Sequence, residues 1–314
     1  MKRMKMNECK AMTFEEGCEE YLLNCRARNL REGTIKHYKD SMKQLFKYIA
    51  PDMPISTMDS ETMGKVVIAI KNNSNINDMS LYTYTRDLKT LMYFFMKCDY
   101  IPTFKISLAK ADKQPIETYS DYELRKLLKK PNMKKSTFTE YKSWVIVNFL
   151  LSTGIRQRSL INIKIKDIDF YNGVVNVNVT KSRKPLIIPL NSEILKIMQE
   201  YLKYRNGNDE DYLFCNVYGS KLTKSTVYHS LFEYNKGRGV ETTGMHRFRH
   251  TFAKKWVTMG GSVVILQKVL GHSSLAITEN YLNILTCDVQ KEMEKYNILQ
   301  EFNRKTIKIE SKLL

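Results

Sequence analysis

Apolar residues recur at helical spacing through the first hundred positions. Phe14, Cys18, Tyr21, Leu22 and Cys25 fall on one stripe. Thr13, with Glu16 three residues on, makes a capping box that predicts a helix over residues 13–29. Ile35, Tyr38, Met42, Leu45, Phe46 and Ile49 form a second stripe, which Pro51 ends. Two more helices are predicted over residues 60–70 and 80–98, the latter with Leu81, Tyr84, Leu88, Leu91 and Phe95 in register. Residues 1–108 therefore read as one helical domain. Lys36, Lys39, Lys43, Lys47, Arg86, Lys89 and Lys97 lie between the stripes, on a face that is either solvated or turned toward a polyanion.

The polar stretch Ser107–Ser120 contains Pro115 and has no period. Residues 109–119 within it read as an interdomain linker, and a second domain is expected over 120–314. Ser120 and Glu123 make another capping box ahead of Leu124, Leu127 and Leu128. Trp144–Leu151 reads as a buried helix ended by Gly154, and Ser159–Ile163 as a short one. The period then changes from 3.6 to 2. Ile168–Phe170, Val175–Val179 and Leu186–Leu190 read as three strands, joined by an Asn172-Gly173 hairpin turn and a basic turn over 181–184. Helices resume after them and include a tail over 288–302, with Val289, Met293, Tyr296, Leu299 and Phe302 on one stripe. The expected fold is mainly α with a small antiparallel β-sheet.

Composition narrows the function. A length of 314 residues suits about two domains. Lys and Arg number 51 against 33 Asp and Glu, a net charge of +18, which favours nucleic acid first and an anionic membrane surface second. No apolar run approaches the length of a membrane span, and the basic start at Met1–Lys10 has no apolar stretch behind it, so no secretory signal is expected. The six cysteines include no C-x-x-C pair and sit near no histidine at ligand spacing. They read as free thiols in a reducing cytoplasm rather than a metal site.

Five features in the second half carry candidate chemistry. Arg156 follows the glycine break in Thr153-Gly154-Ile155-Arg156, and Lys181 sits at a hairpin tip. His246 and Arg249 share a helix face in His246-Arg247-Phe248-Arg249-His250, with Phe248, Phe252 and Trp256 as the packing stripe. His272 lies in a turn after Gly271, which reads as the terminator of the helix through Leu266 and Val269. Tyr281 follows in Thr278-Glu279-Asn280-Tyr281. Taken alone, Arg156, Lys181, His272 and Tyr281 are each more often surface or core residues than functional ones, whereas the His246–Arg249 face reads equally as a phosphate clamp or as a plain basic amphipathic helix.

Their order and local context are specific. T-G-I-R, the hairpin lysine before a strand ending I-I-P-L, H-R-F-R-H-T-F-A, L-G-H-S-S and T-E-N-Y together resemble the signatures of the tyrosine recombinases, the phage-integrase family that includes the Xer proteins and transposon integrases. The resemblance implies an N-terminal helical core-binding domain and an α+β catalytic domain that close around double-stranded DNA. It implies site-specific strand cleavage and rejoining through a 3′-phosphotyrosyl intermediate, with Arg156, Lys181, His246, Arg249, His272 and Tyr281 as the catalytic set and neither cofactor nor metal. It further implies self-association into a tetrameric synapse, a Holliday-junction intermediate, and action in the cytoplasm on nucleoid DNA for a mobile element or for replicon resolution. Accessory proteins are a further partner class, and docking of the tail on its own domain or on a neighbour stays open. No large segment precedes the helical bundle, so a separate arm-site domain is not expected. Three positions depart from the family pattern. Ser159 stands where the family usually has Glu or Asp, Arg158 adds a charge beside it, and Asn283 stands where His is frequent. The rival readings are a non-catalytic DNA-binding regulator on the same fold and a type IB topoisomerase.

Overall fold

The computed structural model describes residues 11–73, 76–108, 116–180, 184–279 and 281. The expectations for Lys181, for Asn283 and for the tail over 288–302 lie outside the described residues. The chain divides into two units, Met1–Gln114 and Pro115–Leu314.

The first unit is helical among its described residues. Helix α1 (Phe14–Ala27) starts where the Thr13 hydroxyl accepts from the Glu16 N–H at 3.2 Å and the Glu16 carboxylate accepts from the Thr13 N–H at 2.8 Å. It packs with α2 (Glu32–Leu45) and α4 (Asp78–Lys97), and α3 (Thr62–Asn73) packs on α4. Phe14 meets Phe46 and Phe95 edge-on, with ring centroids 5.7 and 6.3 Å away. That geometry sets the positive ring edge against the negative ring face. Lys36, Lys39, Lys43 and Lys47 are exposed along α2 and just beyond it. Lys89 is different: it is half-buried and donates from Nζ to the Ile106 carbonyl at 2.7 Å.

The second unit is built around α6 (Phe138–Thr153). The helix is buried on almost every face, through Tyr141, Trp144, Val145, Ile146, Val147, Phe149 and Leu150. Each such fully enclosed apolar side chain contributes about 1.5–3 kcal/mol. The helix starts six residues earlier than the apolar run predicts, where Thr137 accepts from the Glu140 N–H at 3.2 Å. An enclosed helix has no polar face and hence no stripe to mark its first turns. Helix α5 (Asp121–Leu128) opens on the predicted Ser120–Glu123 box, and α7 (Gln157–Leu160) follows α6. Strands β1 (Ile168–Asp169), β2 (Val174–Val177) and β3 (Leu186–Pro189) form an antiparallel sheet in that order, with Val175 paired to Ile168 and Ile188. Val175, Val177 and Ile188 turn into the core. Helices α8 (Ser192–Arg205), α9 (Lys224–Lys236) and α10 (Met245–Thr258) pack on α6, while α11 (Val263–Leu270) packs on β3, α10 and α12 (Leu275–Glu279).

Tyr119 belongs to this second core. It is buried, its N–H donates to Thr251 Oγ1 at 2.9 Å, and its ring lies 4.6 Å from that of Phe248. Cys18, Cys25, Cys98 and Cys215 carry free thiols. No described helix is long and apolar enough to cross a membrane.

Candidate active site

Two helix C-termini meet at the candidate site. Gly154 ends α6 with φ +58° and Gly271 ends α11 with φ +61°, the left-handed conformation that glycine adopts without a side-chain clash. A side chain at Gly154 would also collide with Phe252, since an added Cβ would lie 2.4 Å from Cδ1. The helix ends leave backbone carbonyls without helical partners, and these carry the negative pole of the helix.

Both arginines of the motif set donate to those carbonyls. Arg249 projects from α10 and is only 4% exposed. Its Nη1 donates to the Gly154 carbonyl at 2.7 Å and its Nη2 to the Leu270 carbonyl at 2.8 Å. Arg156 sits at the N-cap of α7. Its Nη1 donates to the Leu270 carbonyl at 3.1 Å and to that of Gly271 at 3.3 Å. The two guanidiniums thus share one carbonyl oxygen. Among the described residues, no carboxylate forms an ion pair with either. Burial, then the charge of Arg156, holds Arg249 down to about 10. Arg156 is also lowered by burial. Two like charges, one buried and one half-buried, that rest on neutral dipoles create a positive potential that an anion would relieve.

His272 follows Gly271 directly. Its Nε2 lies 2.8 Å from Arg249 Nη2 and its Nδ1 2.8 Å from Thr278 Oγ1. A guanidinium only donates, so Nε2 is the acceptor, and the proton sits on Nδ1, which donates to Thr278. Burial first, then Arg249 and Arg156, hold His272 down to about 4. The imidazole is therefore neutral at pH 7.

Tyr281 closes the group. It is 3% exposed, and its ring lies parallel to that of His272 at 6.5 Å. Its hydroxyl is 2.9 Å from His250 Nδ1. Burial pushes the phenol up, against the pull of the Arg249 and Arg156 charges. His250 itself is lowered by burial, His246 and Arg249. His246 is exposed in the first turn of α10, with its ring 6.2 Å from that of His250.

Of the six residues singled out by sequence, Arg156, Arg249, His272 and Tyr281 come together here, and His246 stands one helical turn from the hydroxyl's partner. Lys181 lies outside the described residues, but the base of its hairpin is tied down. Ser159, in place of the family's carboxylate, donates from Oγ to the Val179 carbonyl at 2.7 Å, and Thr180 Oγ1 donates to the Lys184 carbonyl at 2.6 Å. Sequence reasoning quoted His250 and Thr278 inside motifs without giving either a contact. The four-residue spacing from His246 to His250 was the available signal, since it places both on one helix face.

Residues 119–286 match the model of the phage integrase family, more than half of the chain, and the chain belongs to that family. It is 27% identical to a tyrosine recombinase XerC of Leptospira interrogans over 264 residues, 82% of this chain and 85% of that one. It is 34% identical to a tyrosine recombinase XerA of Pyrococcus furiosus over 159 residues, 50% of this chain and 55% of that one. In fold it resembles the Tn1549 transposon integrase solved in complex with transposon right end DNA, with a TM-score of 0.72 and 23% identity across 91% of this chain and 100% of that one.

Proposed function

We propose that this chain is a site-specific DNA recombinase that cuts and rejoins strands through Tyr281. The observation that carries the reading is the meeting of Arg156 and Arg249, unanswered by a carboxylate among the described residues, with a buried phenol. Attack of the phenol oxygen on a backbone phosphorus builds negative charge on the two nonbridging oxygens. Planar guanidinium forks fixed beforehand stabilise that charge without reorganising. The phosphorus–O5′ bond breaks, leaving a 3′-phosphotyrosyl ester and a free 5′-hydroxyl. The phenol proton passes to His246, and Lys181 protonates the leaving 5′ oxygen. A 5′-hydroxyl from the partner duplex then attacks the ester and releases Tyr281. The ester conserves the bond energy, so the cycle consumes no nucleotide.

His272 orients Arg249 before DNA arrives. To hydrogen-bond a phosphate oxygen in the transition state it needs its proton on Nε2, the tautomer opposite to the resting one. Lys36, Lys39 and Lys43, exposed along α2, supply phosphate contacts in the first unit, each adding about 0.9 to the log–log salt dependence of binding. The exchange runs in a tetrameric synapse through a Holliday junction, on cytoplasmic DNA of a mobile element or replicon, with accessory proteins setting its direction.

A nicked suicide duplex built from direct or inverted repeats, where a search beside its gene finds them, tests the reading. The wild-type chain should form a denaturant-resistant adduct, and Tyr281→Phe should bind the duplex without forming one. Binding with no adduct from the wild type would instead indicate a non-catalytic regulator. Relaxation of plasmids that lack the site would indicate a type IB topoisomerase.

A further inference from the structure

We infer that His250 is the positioning residue for the nucleophile: its Nδ1 accepts the Tyr281 hydroxyl hydrogen and aims the phenol oxygen before a phosphate arrives. The inference rests on the recombinase reading and deepens it. The distance of 2.9 Å is that of a full hydrogen bond.

The surroundings set its direction. His250 is half-buried among His246 and Arg249 on its own helix, His272 after α11, and Tyr281. Three of these are cationic or can become so, which disfavours a proton on both nitrogens of His250. A neutral imidazole with Nδ1 bare is an acceptor, and the phenol is then the donor. The hydroxyl hydrogen is therefore held toward His250. A tyrosine ring otherwise leaves its hydroxyl hydrogen free to rotate, and the attacking lone pair rotates with it. Fixing that rotor makes a lone pair available toward the guanidinium cleft, where the reading above seats the phosphate. Misplacement of a reacting atom by about 1 Å can slow a step by about 100-fold.

The arrangement separates two roles on one helix face. His250 is turned inward and holds the hydroxyl at rest, whereas His246, exposed one turn away, takes the phenol proton once the phosphate draws the hydroxyl off Nδ1. A single histidine cannot do both from one rotamer.

The test measures the rate of adduct formation on the nicked suicide duplex, alongside duplex affinity and melting temperature. His250→Ala should slow the adduct by about 10- to 100-fold with duplex affinity unchanged. His250→Asn puts an amide oxygen near the place of Nδ1 and should recover most of the rate. His250→Gln extends its oxygen toward the place of Nε2 and should not. If His250→Ala fails to fold, the Asn–Gln pair carries the test alone. A wild-type rate in His250→Ala, or equal losses in the Asn and Gln variants, overturns the assignment while leaving the recombinase reading intact. A wild-type chain that binds its duplex and never forms an adduct overturns both.

Discussion

Two buried cations stand near opposite ends of α6, and they are not alike. Lys142, near the start, is 2% exposed and donates from Nζ to the Cys215 carbonyl at 2.9 Å, with the Phe138 ring 5.6 Å away. Burial lowers its pKa, and no second cation contributes. Arg249, beyond the far end, also rests on carbonyls but shares one of them with Arg156. A lone buried cation on a carbonyl closes a structural corner: one orphan acceptor is satisfied, and the charge is shielded by packing. Two cations on one carbonyl oxygen repel each other, and neutral dipoles answer that repulsion only in part. The difference separates a packing device from an anion site, although both look the same in a list of buried charges.

The largest effect should come from exchanging the two corners. Arg249→Ala should lower the rate of adduct formation by about 10²–10³-fold, the usual loss on removing one fixed donor from a developing oxyanion. Lys142→Met should leave that rate within about twofold, since no step involves Lys142. Single-turnover cleavage of the suicide duplex measures both. Equal losses would erase the distinction.

An equilibrium measurement sharpens it. Inorganic phosphate should stabilise the DNA-free protein, by about 1.4 kcal/mol at ten times its dissociation constant. Arg156→Ala should remove that part of the shift and keep only the general salting effect, while Lys142→Met should retain the whole. Denaturant titrations at matched ionic strength read the difference. An identical phosphate response in all three proteins would place the anion elsewhere.

How much of this was visible before the fold? The helix stripes, both capping boxes and the hairpin were, because each is local: its residues touch their own neighbours three or four positions away. Gly154 and Gly271 were also legible as terminators. The family resemblance of the ordered motifs singled out Arg156 and Arg249, but not what holds them. Their partners are the carbonyls of Gly154, Leu270 and Gly271, and a backbone carbonyl has no sequence signature. The same holds for Ser159, whose contact with the Val179 carbonyl replaces an expected carboxylate without resembling one. The early start of α6 was hidden for a different reason. Lys142 and Ser143 are buried, so the polar pattern that marks a helix face misreports which side is inside. His250 went unassigned because the Tyr281 hydroxyl, 31 positions away, chose between two histidines on one face.

Acid should act on the arginine corner and spare the lysine corner. His272 is held down to about 4 in the folded protein, against an ordinary value near 6.5. Between those values the unfolded chain takes up a proton that the folded chain refuses. Stability from this residue is therefore present above about 6.5 and is lost progressively as the pH falls toward 4. His250, lowered in the same direction, adds to the loss. His272 is half-exposed, so solvent screening moderates the effect. Urea midpoints from pH 7 to 4 should fall less steeply for His272→Asn than for the wild type, and as steeply for Lys142→Met. Parallel curves for His272→Asn and the wild type would mean that the imidazole is not held neutral by the two arginines.

The smallest effect should come from Thr278→Val, which tests whether the tautomer of His272 is fixed by its neighbour. Thr278 is fully buried, and its hydroxyl accepts from His272 Nδ1. Valine keeps the shape and removes the acceptor. The Nδ1 proton then loses its partner, and the proton is no longer biased away from Nε2, the nitrogen that is bare at rest to receive Arg249. Loss of one such hydrogen bond costs about 1 kcal/mol, enough to let the second tautomer compete but not to displace a guanidinium also held by two carbonyls. Adduct formation should change by no more than about 2- to 5-fold, less than for any arginine variant, because one neutral hydrogen bond is lost and no charge is, and the tautomer set free is the one the transition state uses. Nitrogen-15 shifts of the His272 ring should show the proton shared between Nδ1 and Nε2 in the variant and confined to Nδ1 in the wild type. A wild-type ring spectrum in Thr278→Val would mean that Arg249 alone dictates the tautomer, so that the cationic corner organises its own histidine without help from α12.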